Sequence, residues 1–484
     1  MEPISEIIEK KQQKLKELRD RGVNPYPPRF SKTHSAQEIL SLPLGTAVTT
    51  AGRLVLIREM GKASFAHLQD STGRIQIYLK RDKLGEDAYH LFTKDIHVGD
   101  FIGMEGVSFK TKTGETTIEV ASLTLLSKSL RPLPEKWHGL KDAELRQRHR
   151  HLDLISSPEV KSVFEARSRI ISAIRKSMDE MGFLEVETPI LLAQAGGATA
   201  KPFSTHHKAL DMQLHLRIAT ELYLKRLIIG GFEKVYEIGR IFRNEGIDTR
   251  HNPEFTMLEA YQAYADYHTM AELLEGLLTH SAESCGKKDI KPPFARLALA
   301  ELWKKYCGED IHQILSGKSF NRTGLIALAR KHSVEANEST PSAKIFERIF
   351  DACILPELKE PVFIMDHPTA ITPLAKLKPG DESLVERFEF FFNGQELANA
   401  YTELNDPVDQ RERFVEQKRQ REKEQDDEAE ILDEEFVQAM EHGMPPTGGI
   451  GIGIDRLAMV LLDQESIREV ILFPTLKAEG LKSD

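Results

Sequence analysis

Three cysteines in 484 residues, Cys285, Cys307 and Cys353, are too few and too scattered for a disulfide framework, and none stands in a CxxC pair that would suggest zinc. No apolar run approaches membrane-spanning length, which argues against a transmembrane helix and a membrane partner. Residues 1–16 are charged throughout and lack an apolar signal core, so a cytoplasmic protein is expected. An excess of positive charge is missing too. The formal net charge is −10, so any nucleic-acid contact must come from local basic patches. What remains, 40% hydrophobic and 29% charged, is the composition of a soluble globular chain with room for two or three domains.

The first part of the chain changes character twice. Over residues 4–19, Ile4, Ile7, Ile8, Leu15 and Leu18 recur among lysines and glutamates as in an amphipathic helix, which could touch RNA, stay solvated or pack in a dimer. Five alternating runs follow, at 48–57, 65–69, 74–79, 101–110 and 117–126, with turn signals between them and a helical piece near 83–92. Five such strands in about eighty residues fit a small closed OB-type barrel. Barrels of this kind commonly bind single-stranded nucleic acid through stacked aromatics and amide or basic groups. Arg53, Arg58, Lys62, Phe65 and Gln76 are the candidates, with Phe65 either a stacking platform or core. Arg131-Pro132-Leu133-Pro134 reads as a stiff linker. The expected division is an N-terminal extension at 1–45, the barrel at 46–130, a linker at 131–150 and a second domain at 151–484.

That second domain should open on a helix with Ser157 as cap, Pro158 at its first position and Val163, Ile170, Ile171, Ile174 and Met178 on one face. A strand at 183–188 then runs into Pro189, which suits a sheet edge where a second subunit could pack. Gly196-Gly197-Ala198 looks like a loop near the site. The densest chemistry comes next. Strands at 235–242 and 254–262 flank a polar loop with Arg243, Glu245, Arg250 and His251. Period-two geometry puts Phe255, Met257, Glu259 and Tyr261 on one face, which is poor core material but suits a ligand with phosphates, a flat ring and a positive group.

Asn393-Gly394 suits a two-residue turn, pairing 392 with 395 and 391 with 396 and bringing Glu389 and Glu396 to one face. Two such carboxylates are either solvated or hold a cation such as Mg²⁺ against phosphate oxygens. Asn399 and Glu403 have the opposite parity from Glu396, so joining them in one pocket requires a bulge or helical turn. Residues 410–442 read as one long charged helix. The glycine-dense stretch Gly448 to Gly453 fits neither a Walker loop nor GxGxxG; its glycines at 449, 451 and 453 would instead bare one strand face. A helix starting near Asp455 would place Arg456 at its positive end, reaching for an anion.

Taken together these motifs resemble the class II aminoacyl-tRNA synthetases. The helix and strand at about 158–190 look like motif 1, 233–262 like motif 2 and 448–474 like motif 3, and the N-terminal barrel is that of the lysine, aspartate and asparagine subgroup. Gly61-Lys62-Ala63-Ser64-Phe65, His251-Asn252-Pro253-Glu254-Phe255 and residues 399–406 are similar to lysyl-tRNA synthetases. The resemblance implies an α+β chain: an OB-fold anticodon-binding barrel plus a catalytic domain with an antiparallel sheet flanked by helices. It implies ATP, L-lysine and tRNA(Lys) as substrates, Mg²⁺ as cofactor and a homodimer. It also implies that Tyr261 and Glu403 hold the ε-ammonium, with Asn399 in the same pocket, and that Glu221, Glu259 and Gly197 surround the amino-acid backbone. Arg243 would bind the carboxylate and α-phosphate, Glu245 the adenine edge, and Phe255 and Arg456 the two adenine faces, with His251 beside them in the ATP site and Arg456 reaching the γ-phosphate. Glu389 and Glu396 would hold Mg²⁺, and Phe65 and Gln76 the anticodon. The acidic, acceptor-rich set favours ammonium groups over an aspartate side chain, which would need a buried cation. Ala400 and Tyr401 stand where many bacterial relatives have Gly and Phe. The rival readings are an aspartyl or asparaginyl enzyme, a paralogue that modifies a protein, and a non-catalytic RNA-binding protein.

Overall fold

The computed structural model describes residues 4–133, 142–194, 196–198, 200–337, 339–424 and 433–477, and the chain divides into two compact units, Met1–Leu140 and Lys141–Asp484. In the first unit, β1 (Ala47–Met60), β2 (Ala63–Gln69), β3 (Arg74–Lys80), β4 (Phe101–Lys110) and β5 (Thr116–Ser127) close into a barrel in the order β1-β2-β3-β5-β4. Strict alternation sends Ala66, Leu68, Ile75, Ile77 and Leu79 into the barrel core and leaves Phe65, His67, Gln76 and Tyr78 half-buried on the outside. The helix Ile4–Asp20 forms where the periodicity puts it, but of its apolar residues only Leu18 is buried.

The second unit is built on one large sheet. Its strands run in the order Ala295–Ala298, Val362–Pro368, Asp381–Phe392, Gln395–Thr402, Thr447–Gly453, Glu254–Ala263, Lys234–Phe242 and Leu184–Glu185. Neighbours are antiparallel except at the two ends, where the outermost strand pairs in parallel with the next. The expected antiparallel sheet is therefore mixed at its rims. Both rim strands reach their partners through crossovers that contain helices, and such connections permit parallel pairing.

Period two divides the sheet chemically. Leu258, Ala260, Phe388, Phe390, Ala398, Ala400, Ile450 and Ile452 all point to one face. There they pack with Ile170, Ile174 and Met178 of the helix Pro158–Glu180 and with Met270, Leu274 and Leu277 of the helix Tyr267–Ser284. On the opposite face Val362, Ile364 and Phe391 pack into a second core with Phe346, Ile349 and Phe350 of the helix Ser342–Cys353, while the middle strands present Glu259, Tyr261, Asn399 and Tyr401. Helices thus cover one side of the sheet and one end of the other, and leave the middle of that second face available for chemistry.

Three expectations need correction. The strand at 183–188 shortens to Leu184–Glu185, because Thr188 turns its N–H and hydroxyl to the Glu237 carboxylate (3.0 and 2.7 Å) and Pro189 has no donor. The single helix at 410–442 is two helices, Pro407–Glu424 and Glu434–Glu441; the second starts where Asp433 caps the Phe436 N–H (2.9 Å), and residues 425–432 lie outside the described residues. Residues 143–148 and 150–156 of the second unit are helical, and Arg146 and Arg150 are tied to Asp153 there, so the expected linker ends earlier than 150.

Candidate active site

Across the polar face, four strands line up in register. Glu259 stands opposite Gly451, Gly451 opposite Asn399, and Asn399 opposite Glu389. The next row runs Tyr261, Gly449, Tyr401, Arg387 in the same way. One observation makes this possible. The Asn393-Gly394 turn has both residues at positive φ (51° and 65°), and its pairs 392–395 and 391–396 are those expected, but Phe390 then pairs with Ala398 rather than Leu397. The extra residue is a β-bulge, and it reverses the parity of everything after it. Glu396, Asn399 and Tyr401 all line one cavity as a result. The glycines bare the middle of both rows. A Cβ at 449 would overlap the Glu403 carboxylate and the Tyr261 ring.

The cavity beneath these rows has a volume of about 580 Å³, and Gly197, Glu221, Arg243, Glu259, Tyr261, Glu389, Glu396, Asn399, Tyr401 and Arg456 are among its lining residues. A second cavity, about 310 Å³, is lined by Arg243, Glu245, His251, Phe255, Glu396, Gly453 and Arg456, among others. Arg243, His251, Glu396, Asn399 and Arg456 line both and so stand at the junction.

The deep end of the larger cavity is acidic. Glu221 opens the helix Glu221–Ile229, where the helix dipole favours a carboxylate, and accepts from the Tyr401 hydroxyl (3.1 Å). Glu259 accepts from the Thr220 N–H (3.0 Å) and from the Tyr261 hydroxyl (3.4 Å). Burial pushes the Glu259 carboxyl up to about 7, with Thr220 opposing and Glu221 adding to the shift. Gly197 approaches from the loop at φ +83°, where a side chain would be strained and would press on Ala219 and Glu221. Glu403 is placed differently from the rest. It has no solvent exposure, is not among the cavity's lining residues, and reaches over Gly449 to where a Cβ there would stand; it pairs with Lys225 while its Oε1 has no hydrogen-bond partner.

At the junction, Arg243 lies with its guanidinium carbon 5.3 Å from the Phe255 ring centroid and donates to the Ile218 carbonyl (3.4 Å). Burial lowers its guanidinium from the ordinary value, against Glu245, Glu259 and Glu396, and it remains a cation at neutral pH. Arg456, on the first turn of the helix Ile454–Leu461, donates to the Glu396 carbonyl (2.9 Å) and meets His251 Nε2 at 3.1 Å. His251 Nδ1 faces Asp248 (2.8 Å), so the tautomer protonated at Nδ1 satisfies both contacts. Burial and the neighbouring Glu389 push the Glu396 carboxyl up, with Arg456, Arg387 and Arg243 opposing. Among the described residues no three His, Cys, Asp or Glu side chains gather into a metal-holding group. Glu389 and Glu396 supply two carboxylates, a donor set that suits a hard dication completing its shell with phosphate oxygens and water.

Sequence reasoning missed Arg387, Lys225 and the part played by Tyr401. Arg387 ties the row together, donating to Asn399 Oδ1 (3.0 Å), Thr372 Oγ1 (2.6 Å) and Glu389 Oε1 (2.5 Å). Its signal was available: 387 shares strand parity with 389. On the barrel, Phe65 packs against Tyr78 (centroids 4.7 Å apart) and Tyr78 against Phe109 (6.0 Å), which makes a stripe of three rings. Gln76 lies beside it, donating to Glu115 (2.7 Å) and accepting from Thr117 (2.8 Å). Arg53 is not part of this surface. It stacks on Phe101 (4.2 Å) and donates to the Gly99 carbonyl.

A sheet face that joins an acidic pocket to an arginine-flanked second cavity, in a chain that also carries a barrel, has a counterpart among known families. Residues 142–477 match the model of the tRNA synthetases class II (D, K and N), and residues 48–126 match that of the OB-fold nucleic acid binding domain. The chain belongs to the class II tRNA synthetases of the aspartate, lysine and asparagine group. Lysine–tRNA ligases are among its full-length relatives. The protein of that name from Moorella thermoacetica is 51% identical over 490 residues, covering 99% of both chains. Those from Enterococcus faecalis (49% over 498 residues, 99% and 98% covered) and Carboxydothermus hydrogenoformans (50% over 482 residues, 98% of each) are similar.

Proposed function

We propose that this enzyme activates L-lysine with ATP to lysyl-adenylate and pyrophosphate and then transfers lysine to the 3′-terminal ribose of tRNA(Lys). The observation that carries the choice of amino acid is the acidic end of the larger cavity, where Glu221, Glu259 and Tyr261 line the wall and Glu403 reaches over Gly449. An aspartate side chain would meet net repulsion there, since Lys225 is already paired with Glu221 and Glu403. Tyr261 and Glu403 hold the ε-ammonium, Glu221, Glu259 and Gly197 surround the α-amino end, and Asn399 contacts the lysine from the cross-strand row that holds Glu259. That orientation directs the lysine carboxylate to Arg243, which lines both cavities. Adenine lies in the smaller one between Phe255 and Arg456, with Glu245 at its edge and His251 beside it.

The carboxylate attacks the α-phosphorus in line with the departing pyrophosphate, and no protein nucleophile takes part. The rate comes from alignment and from cations placed where charge develops on the phosphorus oxygens, Arg243 on one side and Arg456 on the other. Glu389 and Glu396 would hold Mg²⁺, which would neutralise phosphate charge when bound. Glu396→Gln is expected to raise the Mg²⁺ concentration for half-maximal exchange about tenfold, a loss of about 1.4 kcal/mol in affinity. An unchanged Mg²⁺ titration would remove Glu396 from the metal site.

For tRNA, the stripe Phe65–Tyr78–Phe109 with Gln76 at its side suits stacked, splayed-out anticodon bases. Phe65→Ala is expected to raise the tRNA KM for charging by roughly 10- to 100-fold, since one stacked base contributes about 1–3 kcal/mol. Exchange without tRNA should stay within about threefold of wild type. Equal losses in both assays would mean that Phe65 serves the fold rather than the anticodon. A homodimer in the cytoplasm completes the proposal; the exposed Leu184 on the sheet's edge strand, and Ile190 and Leu191 a few residues later, support the dimer.

The test is ATP–pyrophosphate exchange without tRNA, with each of the twenty amino acids offered separately. Exchange with lysine alone is expected. Exchange with aspartate or asparagine would mean that the pocket has been misread, and none at all would leave a non-catalytic RNA-binding protein.

A further inference from the structure

Lys225 has no part in the chemistry above, yet its ammonium is completely buried at the acidic end of the cavity. It stands between carboxylates from two elements: Glu221, one turn earlier on the same helix at 2.5 Å, and Glu403, which follows the strand Gln395–Thr402. The rings of Tyr261, Tyr401 and Phe436 enclose it at 5.9–6.0 Å. The groups facing Glu403 are Lys225 and Glu221 from the helix, Glu259 and Tyr261 from the strand Glu254–Ala263, and Tyr401 from its own strand. Without Lys225, every titratable neighbour in that set is an acid or a phenol.

We propose that Lys225 is a specificity-determining positioning residue: a built-in counter-cation that holds the Glu221 and Glu403 carboxylates in place before the amino acid arrives. Two carboxylates against one ammonium leave a single negative charge, and that charge is what a side-chain ammonium meets on entry. The Glu403 Oε1, without a hydrogen-bond partner and lying over Gly449, is the place where it meets it. A neutral side chain of the same length would leave this charge buried and unpaired, which is the larger penalty. This rests on the proposal that lysine's side chain enters here.

In the electrostatics the cation works against burial. Burial alone would lower the Lys225 ammonium, but Glu221 and Glu403 outweigh it and raise it above its usual value. Burial pushes the Glu403 carboxyl well up, and Lys225 is the main opposing influence. Removing the cation takes that opposition away, so lysine binding is expected to weaken and to recover as pH rises.

The first measurement is calorimetry of lysine binding to the wild-type enzyme at about pH 8, where Glu259 is already ionised, in two buffers of different ionisation enthalpy. With the carboxylates pre-ionised, close to no proton is released. Release approaching one proton per site would overturn the proposal. Next come Lys225→Met and Lys225→Arg in the exchange assay. The methionine variant should raise the lysine KM at least about tenfold near pH 7, and that excess should shrink toward pH 9, with the ATP KM unchanged. The arginine variant should keep a flat profile. A pH-independent defect in Lys225→Met, or an equal defect in both variants, would reduce Lys225 to a packing role. If the methionine variant does not fold, the wild-type calorimetry decides alone. Absence of lysine-dependent exchange in the wild type would instead remove the functional proposal beneath this one.

Discussion

Replacing Arg243 by methionine is expected to lower lysine-dependent ATP–pyrophosphate exchange about a thousandfold, a loss of roughly 4 kcal/mol of transition-state stabilisation. The size follows from position. Arg243 lines both cavities, so it is the residue best placed to touch the lysine carboxylate and the α-phosphate at once. Charge on the phosphorus oxygens develops only as the new bond forms, so the loss should fall on kcat more than on either KM. Arg243→Lys keeps the charge but not the planar fork, and about a hundredfold loss is expected there. The fold should survive both changes: the strand Lys234–Phe242 ends just before Arg243, whose own N–H is held by the Pro253 carbonyl (2.9 Å). Exchange kinetics beside a thermal melt would decide. A loss under tenfold with an unchanged melt would take Arg243 out of the transition state.

The two halves of the site differed in how far the sequence alone could carry them. Residues on one strand were legible, because Phe255, Met257, Glu259 and Tyr261 follow from period two without further information. The turn at Asn393-Gly394 was legible too, with its register, because that dipeptide nearly dictates a I′ geometry. The bulge at Leu397 was not. It depends on how Phe390 and Phe391 pack into two different cores, one against the helices Pro158–Glu180 and Tyr267–Ser284 and one against Phe350, which is a tertiary matter. For the same reason the placement of Asn399 beside Glu389 could be required but not located. Lys225 was hidden differently. In a helix with the sequence Glu-Leu-Tyr-Leu-Lys-Arg, a lysine four residues after a glutamate reads as a surface pair, and only the sheet packed over it turns that pair inward. The helix break at Asp433 and the shortened strand at Leu184–Glu185 were missed because a cap and side-chain bonds interrupt elements that composition alone would continue.

Gly449→Ala should separate the two cavities functionally. Gly449 stands between Tyr261 and Tyr401 in the cross-strand row, and a Cβ there would overlap Glu403 Oε1 and the Tyr261 ring. Neither neighbour can give way easily. Glu403 is held by Lys225, and Tyr261 is 3% exposed among Leu224, Ile228 and Val235. The backbone is not the obstacle, since residue 449 is outside the left-handed region and alanine fits its conformation. The cost is therefore local overpacking, about 1–3 kcal/mol, with a fall of a few degrees in Tm. In kinetics the lysine KM should rise about a hundredfold while the ATP KM stays within about threefold, because the smaller cavity does not include residue 449. Gly453→Ala is the contrast. Its Cβ would meet nothing closer than 3.8 Å, so the lysine KM should barely move. A Gly449→Ala enzyme that kept its lysine KM and lost ATP affinity would reverse the assignment of the two cavities. Intact values for both substrates would mean that Tyr261 and Glu403 can yield, and that the wall they form with Gly449 does not measure the side chain.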